Sequence, residues 1–246
     1  MNQKKVLITG GSRGIGLAIA KKFSENNYQP IIIASKESSF HDLRAEFPNW
    51  NFFACDLSRE DSVQEIYSRF PDIDVLVNNA GIQINQEFGK DHTSHEKELI
   101  EINTNLISCI LLIKKYLPIL KTKKESSIVN VTSGLALVPK ESAPIYCATK
   151  AALRSFSISL RWQLENLQPK VIEVLPPLVD TDMTKGRGRG KISPSELAIE
   201  FWDGFVNGKQ EIYIGKSKIL YYLHRIYPSL ARRIMRGDSI NSNNRK

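Results

Sequence analysis

The sequence predicts an α/β fold, a doubly wound parallel sheet of about seven strands with helices on both faces. Two observations predict it. Short runs rich in Val, Ile and Leu alternate along the chain with longer segments of helical periodicity. The short runs are continuously apolar instead of alternating with polar residues, which is typical of strands covered on both faces. The length of 246 residues suits a single domain of this kind.

Seven segments are predicted as strands and five as helices. The strands are residues 5–9, 30–34, 51–55, 74–78, 127–132, 170–175 and 211–215. The helices lie around residues 14–26, 60–70, 95–120, 146–167 and 194–207. The last of them has a clear start, with Ser193 as N-cap, Pro194 at the first position and Glu196 at the third. We expect a catalytic domain over 1–215 and a C-terminal extension over 216–246.

The net charge of +8 is unevenly distributed. Residues 216–246 contain eight Lys and Arg against one Asp, and residues 185–191 contain four further cations. The rest of the chain is close to neutral. A nucleic-acid-binding protein should show a broader basic face with interleaved aromatic residues and a recognisable module, and the sequence has neither. We therefore expect no nucleic-acid partner.

The cysteine and histidine pattern favours neither disulfides nor a metal site. Cys55, Cys109 and Cys147 are an odd number at wide spacings, which indicates a reducing compartment. His92 and His95 are the only close histidine pair, and we expect both to be solvated. No apolar run reaches membrane-spanning length, and the apolar start after "MNQKK" is too short for a signal peptide. The expected location is cytoplasmic.

A glycine-rich segment, "TGGSRGIG" (9–16), follows the first predicted strand and opens the first predicted helix. Gly10, Gly14 and Gly16 have the spacing G-x-x-x-G-x-G. Glycine at these positions lets the backbone approach a pyrophosphate at the helix N-terminus. A glycine triplet alone also fits a bare turn, but its place between a strand and a helix favours a dinucleotide-binding loop of the Rossmann type.

Tyr146 and Lys150 are four residues apart in a predicted helix, and therefore on one face. A phenol has an unperturbed pKa of about 10. A neighbouring ammonium lowers that pKa, which suits proton transfer. Ser133 ends a predicted strand and can hydrogen-bond a substrate oxygen, and Asn105, within a long predicted helix, can hold a water. A Tyr–Lys pair is often an ordinary surface pair, but Ser133 and the glycine-rich segment favour catalysis.

Together these motifs resemble the short-chain dehydrogenase/reductase family. The resemblance covers residues 5 to about 215 and also rests on "CDLS", on "NNAG" (78–81) and on "TNL". The stretches "VNVTSGLALVP", "YCATKAAL" and "LPPLVDTDM" are most similar to its DltE-like branch, reductases of uncertain physiological substrate. One departure is Pro176-Pro177, where the family usually has Pro-Gly. Proline fixes φ and removes an N–H, so we expect a stiffer turn beside the nicotinamide.

The resemblance implies hydride transfer between the nicotinamide and a carbonyl or secondary alcohol, with no metal. Tyr146 is then the general acid, Ser133 polarises the carbonyl oxygen, Lys150 also holds the nicotinamide ribose and Asn105 completes a proton relay. The residues expected at the cofactor are Gly10, Ser12, Arg13, Gly14, Ile15, Gly16, Ser35, Lys36, Asp56, Leu57, Asn78, Ala80, Gly81, Tyr146, Lys150, Pro176, Val179 and Thr181. Those expected at the substrate are Ser133, Leu135, Val138, Ile145, Tyr146 and Met183.

The end of the second predicted strand indicates the dinucleotide. Sites for NAD place an acid there, against the ribose 2′-hydroxyl. This chain has Ser35 and Lys36 instead, with no acid before Glu37, and Arg13 lies in the glycine-rich segment. Two cations and a hydroxyl suit the 2′-phosphate of NADP(H). The other interpretation is that Lys36 is a solvated loop charge; we favour NADP(H).

The substrate is less specified. The expected lining is apolar, and the expected lid, residues 183–192, carries four cations and three glycines. An acyl-like or otherwise apolar carbonyl compound with an anionic group fits both, although for the lid residues we favour the simpler interpretation of a flexible solvated loop. A dinucleotide-binding scaffold or sensor without turnover is the alternative function, which the complete Ser–Tyr–Lys–Asn set argues against. A nucleotide-sugar epimerase would have GxxGxxG and a longer substrate domain.

Two surfaces indicate partners. The helix after Tyr146 should face the sheet with Leu153, Phe156, Leu160, Leu164 and Leu167. Ile158 and Trp162 fall on its other side, so we expect a homodimer or higher homo-oligomer, paired through this helix and the one before it as is common in the family.

The C-terminal segment 217–237 carries an apolar stripe with a cationic side, interrupted by Pro228. The stripe has two interpretations. It packs on the enzyme or on a partner subunit, or it lies on an anionic membrane surface, which would make the location peripheral to the membrane.

Overall fold

A computed structural model describes residues 3–88, 95–186, 188 and 190–236. Within them, seven parallel strands form one sheet in the order β3-β2-β1-β4-β5-β6-β7, which confirms the predicted doubly wound fold. The order reverses between β1 and β4, so a ligand crevice is expected at the carboxyl ends of these strands. The strands are β1 (Lys4–Thr9), β2 (Tyr28–Ala34), β3 (Asn51–Ala54), β4 (Val75–Asn78), β5 (Ser127–Val131), β6 (Lys170–Leu175) and β7 (Glu211–Tyr213).

The helices cover both faces of the sheet. The described ones are α1 (Gly14–Glu25), α2 (His41–Glu46), α3 (Ser62–Arg69), α4 (His95–Ile102), α5 (Ser108–Thr122), α6 (Pro144–Gln163), α7 (Pro194–Val206), α8 (Lys216–Ile226) and α9 (Pro228–Arg236). The single helix predicted over 95–120 is two helices joined by a π-helical turn, Asn103–Ile107. None of the described helices is long and apolar enough to cross a bilayer.

Two hydrophobic layers enclose the sheet, and the continuously apolar strands supply both. In β1, Val6 and Ile8 pack in one layer and Leu7 in the other, as the two-residue period of a strand requires. Helices α1 and α7 complete the first layer, while α3, α5 and α6 complete the second.

Two local sequence predictions can be compared directly with the helices. The N-cap at Ser193 is confirmed, because its Oγ accepts from Glu196 N at 3.1 Å and Glu196 accepts from Ser193 N at 2.7 Å. Leu153 and Leu160 on α6, and Leu164 directly after it, are buried as predicted. Leu167 is 56% exposed, so its predicted inward placement is wrong. The reason is that α6 ends at Gln163, after which the helical period no longer applies.

The C-terminal segment packs on the body of the enzyme. Ser217 of α8 and Ala231 of α9 are buried, and Arg236 lies 3.7 Å from Glu141 in the loop before α6. The last strand, β7, ends at Tyr213, shortly before the predicted start of the C-terminal extension at residue 216. The apolar stripe itself stays largely exposed, with Ile219, Ile226 and Ile234 at 68%, 63% and 57%, so both interpretations of the stripe stay predictions.

Candidate active site

One cavity of about 1330 Å³ runs along the carboxyl ends of the strands. Sites for a single small molecule are usually about 300–1,000 Å³, so this cavity has room for more than one ligand. Its walls come from the β1–α1 loop, from the ends of β2 to β6, from the start of α6 and from α8 and α9.

The glycine-rich loop is shaped by close backbone contacts. Gly10 and Gly14 have φ values of +63° and +55°, in the left-handed region that favours glycine. A Cβ on Gly16 would lie 2.3 Å from the carbonyl oxygen of Gly10. A side chain at position 16 would therefore separate α1 from the loop. The glycine pattern is thus explained by packing as well as by ligand approach.

Asn79 and Thr9 join the end of β4 to the glycine-rich loop. Asn79 Nδ2 donates to the carbonyl oxygens of Thr9 and Gly10 at 2.9 and 3.1 Å. Thr9 Oγ1 accepts from the backbone N–H groups of Asn79 and Ala80 at 3.0 and 3.1 Å. Sequence reasoning assigned Asn78 to the cofactor, yet that residue does not line the cavity. Its amide is 1% exposed and donates to Asn130 Oδ1 instead.

The N-terminus of α1 faces the cavity without a side-chain cap. Its N-cap residue, Arg13, makes no capping hydrogen bond, and the first turn contains no acidic residue. Ser12, Gly14 and Ile15 line the cavity here. The first backbone N–H groups of a helix lack intrahelical partners and attract anions. The loop therefore fits a dinucleotide pyrophosphate.

At the far end of β2, Ser35, Lys36 and Ser39 line the cavity. Lys36 has no ion-pair partner among the described residues. Glu37, the first acid after β2, is ion-paired with Arg44 and does not line the cavity. Asp56 and Leu57 border the same end.

Arg13 reaches in another direction, because its guanidinium lies 3.1 Å from Asp182 Oδ2. Both side chains of this pair are exposed, so the ion pair is weak and can be exchanged.

Ser133 follows β5 and begins a short 3₁₀ turn, Gly134–Ala136. Its Oγ accepts from the backbone N–H of Leu135 at 3.1 Å, which fixes the side-chain direction. Since an accepting hydroxyl keeps its own hydrogen, this O–H can still donate to a substrate oxygen. Thr132, directly before it, donates to the buried carboxylate of Glu173, which is paired with Arg154 of α6. That network holds the end of β5 against α6.

Lys150 lies beneath Tyr146, four residues later on α6. Its Nζ is 5.8 Å from the centre of the tyrosine ring and donates to the carbonyl oxygen of Val131 at 2.9 Å. The side chain is buried, and burial lowers the pKa of Lys150 because it disfavours the charged form. Ser133, Tyr146 and Lys150 all line the cavity. The structure thus brings these three predicted catalytic residues together.

Asn105 lies in the π-helical turn and does not line the cavity. Its side chain is fully buried, where Oδ1 accepts from Ile82 N at 2.8 Å and Nδ2 donates to Ile82 O at 2.9 Å. The Cβ position of Gly81 lies 3.4 Å from Asn105 Oδ1 and 3.5 Å from Lys150 Nζ. Asn105 therefore fixes the segment that follows β4 against the lysine, so its visible role is positioning.

The substrate end differs in part from the prediction. Leu135 and Met183, predicted at the substrate, line the cavity, as do Pro176, Val179 and Thr181, predicted at the cofactor. Val138 and Ile145 do not; Val138 is completely buried in the turn that precedes α6. The larger omission is the C-terminal segment, from which six residues line the cavity besides Lys216, namely Ser217, Ile219, Leu220, Leu223, Ile234 and Met235.

The predicted lid is described only in part, because Arg187 and Arg189 lie outside the described residues. Gly188 packs against Leu178, since a Cβ there would lie 2.4 Å from Leu178 Cδ2. Lys191 Nζ donates to Asp180 Oδ1 and to the carbonyl oxygen of Thr184 at 3.0 and 2.8 Å. These contacts hold this loop along the edge of the cavity.

The cysteines are buried and unpaired. Cys147 does not line the cavity; its Sγ accepts a hydrogen bond from Lys140 N. Burial raises the pKa of its thiol. It is a packing residue, as the sequence indicated. The described residues contain no cluster of side chains able to hold a metal ion. Of the histidine pair, His95 is described, and His92 lies outside the described residues.

The chain was compared with known proteins. The profile of the short chain dehydrogenase family matches residues 4–191. The sequence is 40% identical over 223 residues to the uncharacterized oxidoreductase DltE of Bacillus subtilis (strain 168), which covers 86% of this chain and 88% of the relative. It is 30% identical over 191 residues to the NADP-dependent 3-hydroxy acid dehydrogenase YdfG of Salmonella typhi, covering 75% of this chain and 77% of the relative.

Solved structures agree on the fold. A short chain dehydrogenase from Burkholderia cenocepacia J2315, in complex with NADP, has a TM-score of 0.85 at 24% identity and covers 96% of this chain and 99% of that chain. A short chain dehydrogenase/reductase from Burkholderia phymatum, in complex with NAD, has a TM-score of 0.80 at 20% identity and covers 94% of this chain and 96% of that chain. With the glycine-rich loop and the Ser–Tyr–Lys cavity, these findings show that the chain belongs to the short-chain dehydrogenase/reductase family of oxidoreductases, where it is similar to DltE.

Proposed function

We propose that the protein is an NADP(H)-dependent oxidoreductase that interconverts a carbonyl compound and the corresponding secondary alcohol. The observation that carries this proposal is the position of Lys150. Its ammonium is buried beneath Tyr146, in the cavity that also contains Ser133 and the glycine-rich loop. A scaffold that only binds a dinucleotide would have no use for that arrangement.

The bound nicotinamide supplies the hydride, and the residues of the chain manage the oxygen and its proton. The Ser133 hydroxyl, held by Leu135 N, donates a hydrogen bond to the substrate oxygen and polarises the carbonyl. Tyr146 gives its phenolic proton to that oxygen as general acid. The Lys150 ammonium stabilises the phenolate that remains, and its lowered pKa favours passing a proton on.

Asn105 acts in this proposal through the backbone. Its two hydrogen bonds to Ile82 fix the strand-end segment that carries Gly81 against Lys150. The predicted proton relay from the lysine to solvent then passes beside Asn105. Loss of this amide would disturb the lysine even though the amide does not line the cavity.

NADP(H) is the preferred cofactor in this proposal. Lys36, Ser35 and Ser39 line the cavity at the end of β2, where they would hold a 2′-phosphate, and the nearby acid, Glu37, is already paired with Arg44. Arg13 can join them by leaving Asp182, because exposed ion pairs contribute only about 0–1 kcal/mol. YdfG is NADP-dependent and the Burkholderia cenocepacia protein was solved with NADP, whereas the Burkholderia phymatum protein was solved with NAD.

A homodimer formed through α5 and α6 is part of the proposal. Trp162 on α6 is 71% exposed, and Ile107 and Leu111 at the start of α5 are also exposed. Large exposed apolar side chains are typical of protein interfaces. Light scattering at micromolar protein should give twice the monomer mass. A monomer mass would refute this assembly.

The proposed location is a reducing compartment such as the cytoplasm, because the buried cysteines are unpaired.

The reaction can be tested by following the hydride. The enzyme is incubated with NADPH deuterated at the transferable position and a panel of aliphatic and aromatic ketones. Mass spectrometry of the alcohol should show one deuterium at the carbinol carbon, and NADH should support a lower rate. Alcohol without deuterium, or no alcohol from any ketone, would reject the proposed function.

A further inference from the structure

The start of α8 contains a buried hydroxyl that the proposed function does not use. Ser217 is 2% exposed and lines the cavity, and its Oγ has no hydrogen-bond partner among the described residues. A buried hydroxyl without a hydrogen-bond partner costs stability. A bound ligand that hydrogen-bonds to Ser217 would explain why a hydroxyl is buried here. The Cβ position of Gly134 lies 3.4 Å from this Oγ. Ser217 therefore sits beside the turn that begins at Ser133.

The helix that carries Ser217 adds positive potential at the same place. Helix α8 has 11 residues and begins at Lys216, which lines the cavity. The N–H groups of Ser217 and Lys218 already donate to the carbonyl oxygens of Ile214 and Gly215, and Gly215 N donates to Glu200 Oε2. The helix therefore contributes its dipole, while side chains must supply the hydrogen bonds. The N-terminus of a helix favours anions. The Nζ of Lys216 donates only to a carbonyl oxygen, that of Gly190 at 3.3 Å.

The charges along the cavity are unbalanced at this end. The described lining contains five cations and three carboxylates. Asp180 is ion-paired with Lys191, and Asp56 borders the end of β2. Asp182 lies 3.1 Å from Arg13 beside the glycine-rich loop, and it loses this partner when Arg13 moves to the cofactor. Arg13, Lys36 and Lys150 belong to the proposed cofactor and catalytic groups. Two lining cations remain, Lys140 and Lys216, and neither has a carboxylate partner among the described residues.

Apolar side chains surround these polar groups. Leu220 and Leu223 of α8 and Met235 of α9 complete the wall, with Leu220 Cδ2 lying 3.4 Å from the Cβ position of Gly134. A ligand that fills this end must present carbon to the leucines and negative charge to the start of α8.

Resting on the proposed function, we propose that Ser217 and Lys216 at the start of α8, with Lys140 in the loop before α6, bind an anionic group of the substrate. The group is a carboxylate or a phosphate ester on an otherwise apolar carbonyl compound. Ser217 and Lys216 bind it directly, and Lys140 contributes charge. The enzyme thus selects oxo acids or oxo phosphates over neutral ketones of the same length.

The test compares matched substrates. An oxo acid, its methyl ester and the oxo alkyl phosphate of equal chain length are reduced with NADPH by the full-length protein. The variants are Ser217→Ala, Lys216→Gln and Lys140→Gln. Lys218→Gln is the control, because Lys218 lies on the same turn of α8 but does not line the cavity.

For the preferred anionic substrate, the wild type should show a kcat/KM at least tenfold above that for the ester, since hydrogen bonds to charged groups are strong. Ser217→Ala and Lys216→Gln should remove most of this preference while changing reduction of the ester less than threefold. Lys140→Gln should weaken it by a smaller factor. Lys218→Gln should leave it unchanged. The arm with the higher kcat/KM shows whether a carboxylate or a phosphate is bound.

Equal kcat/KM for the ester and both anions, or variants that lower all three equally, would overturn the inference and leave the proposed function standing. Calorimetric binding of the same compounds to the enzyme–NADP⁺ complex gives the comparison without turnover. Preferential anion binding without reduction would retain the subsite and refute the proposed reaction. Binding without preference would refute the subsite.

Discussion

Replacing Thr9 by valine tests how the glycine-rich loop is held to β4. The change conserves side-chain shape and removes one hydroxyl from Thr9, a residue that is 1% exposed. That oxygen accepts hydrogen bonds from the N–H groups of Asn79 and Ala80 at 3.0 and 3.1 Å and donates to Val77 O at 3.3 Å. The substitution therefore leaves two backbone donors without their acceptor.

The structure gives the size of the effect. An unsatisfied buried donor costs about 1–3 kcal/mol, and both donors are only half-buried, so we expect a loss of roughly 2–4 kcal/mol in the free energy of unfolding. For a chain of this size each kcal/mol lowers Tm by about 2–4 °C. Affinity for NADPH should also fall, because Ala80 and the glycine-rich loop line the cofactor end of the cavity.

Denaturant unfolding of Thr9→Val and of the control Thr9→Ser measures this cost, and fluorescence titration gives the NADPH affinity. Serine keeps the oxygen and loses only a methyl group, so it should cost about 1 kcal/mol. If valine and serine were equally stable, the hydroxyl would not be holding the loop and the reasoning would be refuted.

Three further predictions concern the cofactor, the lysine and the C-terminal segment. Lys36→Ala should weaken NADPH binding at least tenfold and NADH binding less than twofold, since a charged contact is worth about 1.5–3 kcal/mol; equal losses in a titration would remove the case for a 2′-phosphate site. In Lys150→Met the stability difference from wild type should vary with pH. Burial lowers the pKa of Lys150 in the folded state, so the unfolded chain binds more protons. As pH rises toward 10.5, the free energy of unfolding of the wild type should therefore increase relative to that of the variant, by up to about 1.4 kcal/mol per pH unit. A constant difference between pH 7 and 10 would contradict the lowered pKa. A protein cut after Gly215 should retain NADPH affinity but lose turnover, because α8 and α9 form the substrate-end wall; unchanged turnover, or loss of vesicle sedimentation alone, would favour the membrane interpretation of this segment.

The strands could be predicted because their burial on both faces leaves a simple pattern. Continuous apolar runs such as that of β1 are required wherever helices cover both sides of a parallel sheet. Ser133, Tyr146 and Lys150 could be placed together for a related reason. The carboxyl end of β5 and the start of α6 meet at the same edge of the sheet, so local spacing was sufficient.

Other parts of the site depend on contacts distant in sequence. The role of Asn79 follows from its reach to Thr9, 70 residues earlier, whereas Asn78 is the last residue of β4 and its amide points into the core. The π-helical turn at Asn105 carries no periodicity of its own, because one extra residue in a turn hardly changes an apolar stripe.

The C-terminal segment shows the same limit. Its apolar stripe did not indicate what it packs against, and Ser217 lies beside Gly134 only because α8 folds against β7 and the Gly134–Ala136 turn. A hint was present in "GKSK" (215–218), where a glycine precedes two cations and a hydroxyl at a predicted helix start.

The central claim is that Tyr146 transfers the proton that accompanies hydride transfer, and Tyr146→Phe tests it most directly. The ring remains above Lys150 while the transferable proton is removed. We predict that kcat for a ketone reduced by the wild type falls by a factor of about 10²–10⁴, while the dissociation constant for NADPH changes less than twofold. A variant that reduces the same ketone at a rate near that of the wild type would contradict the account.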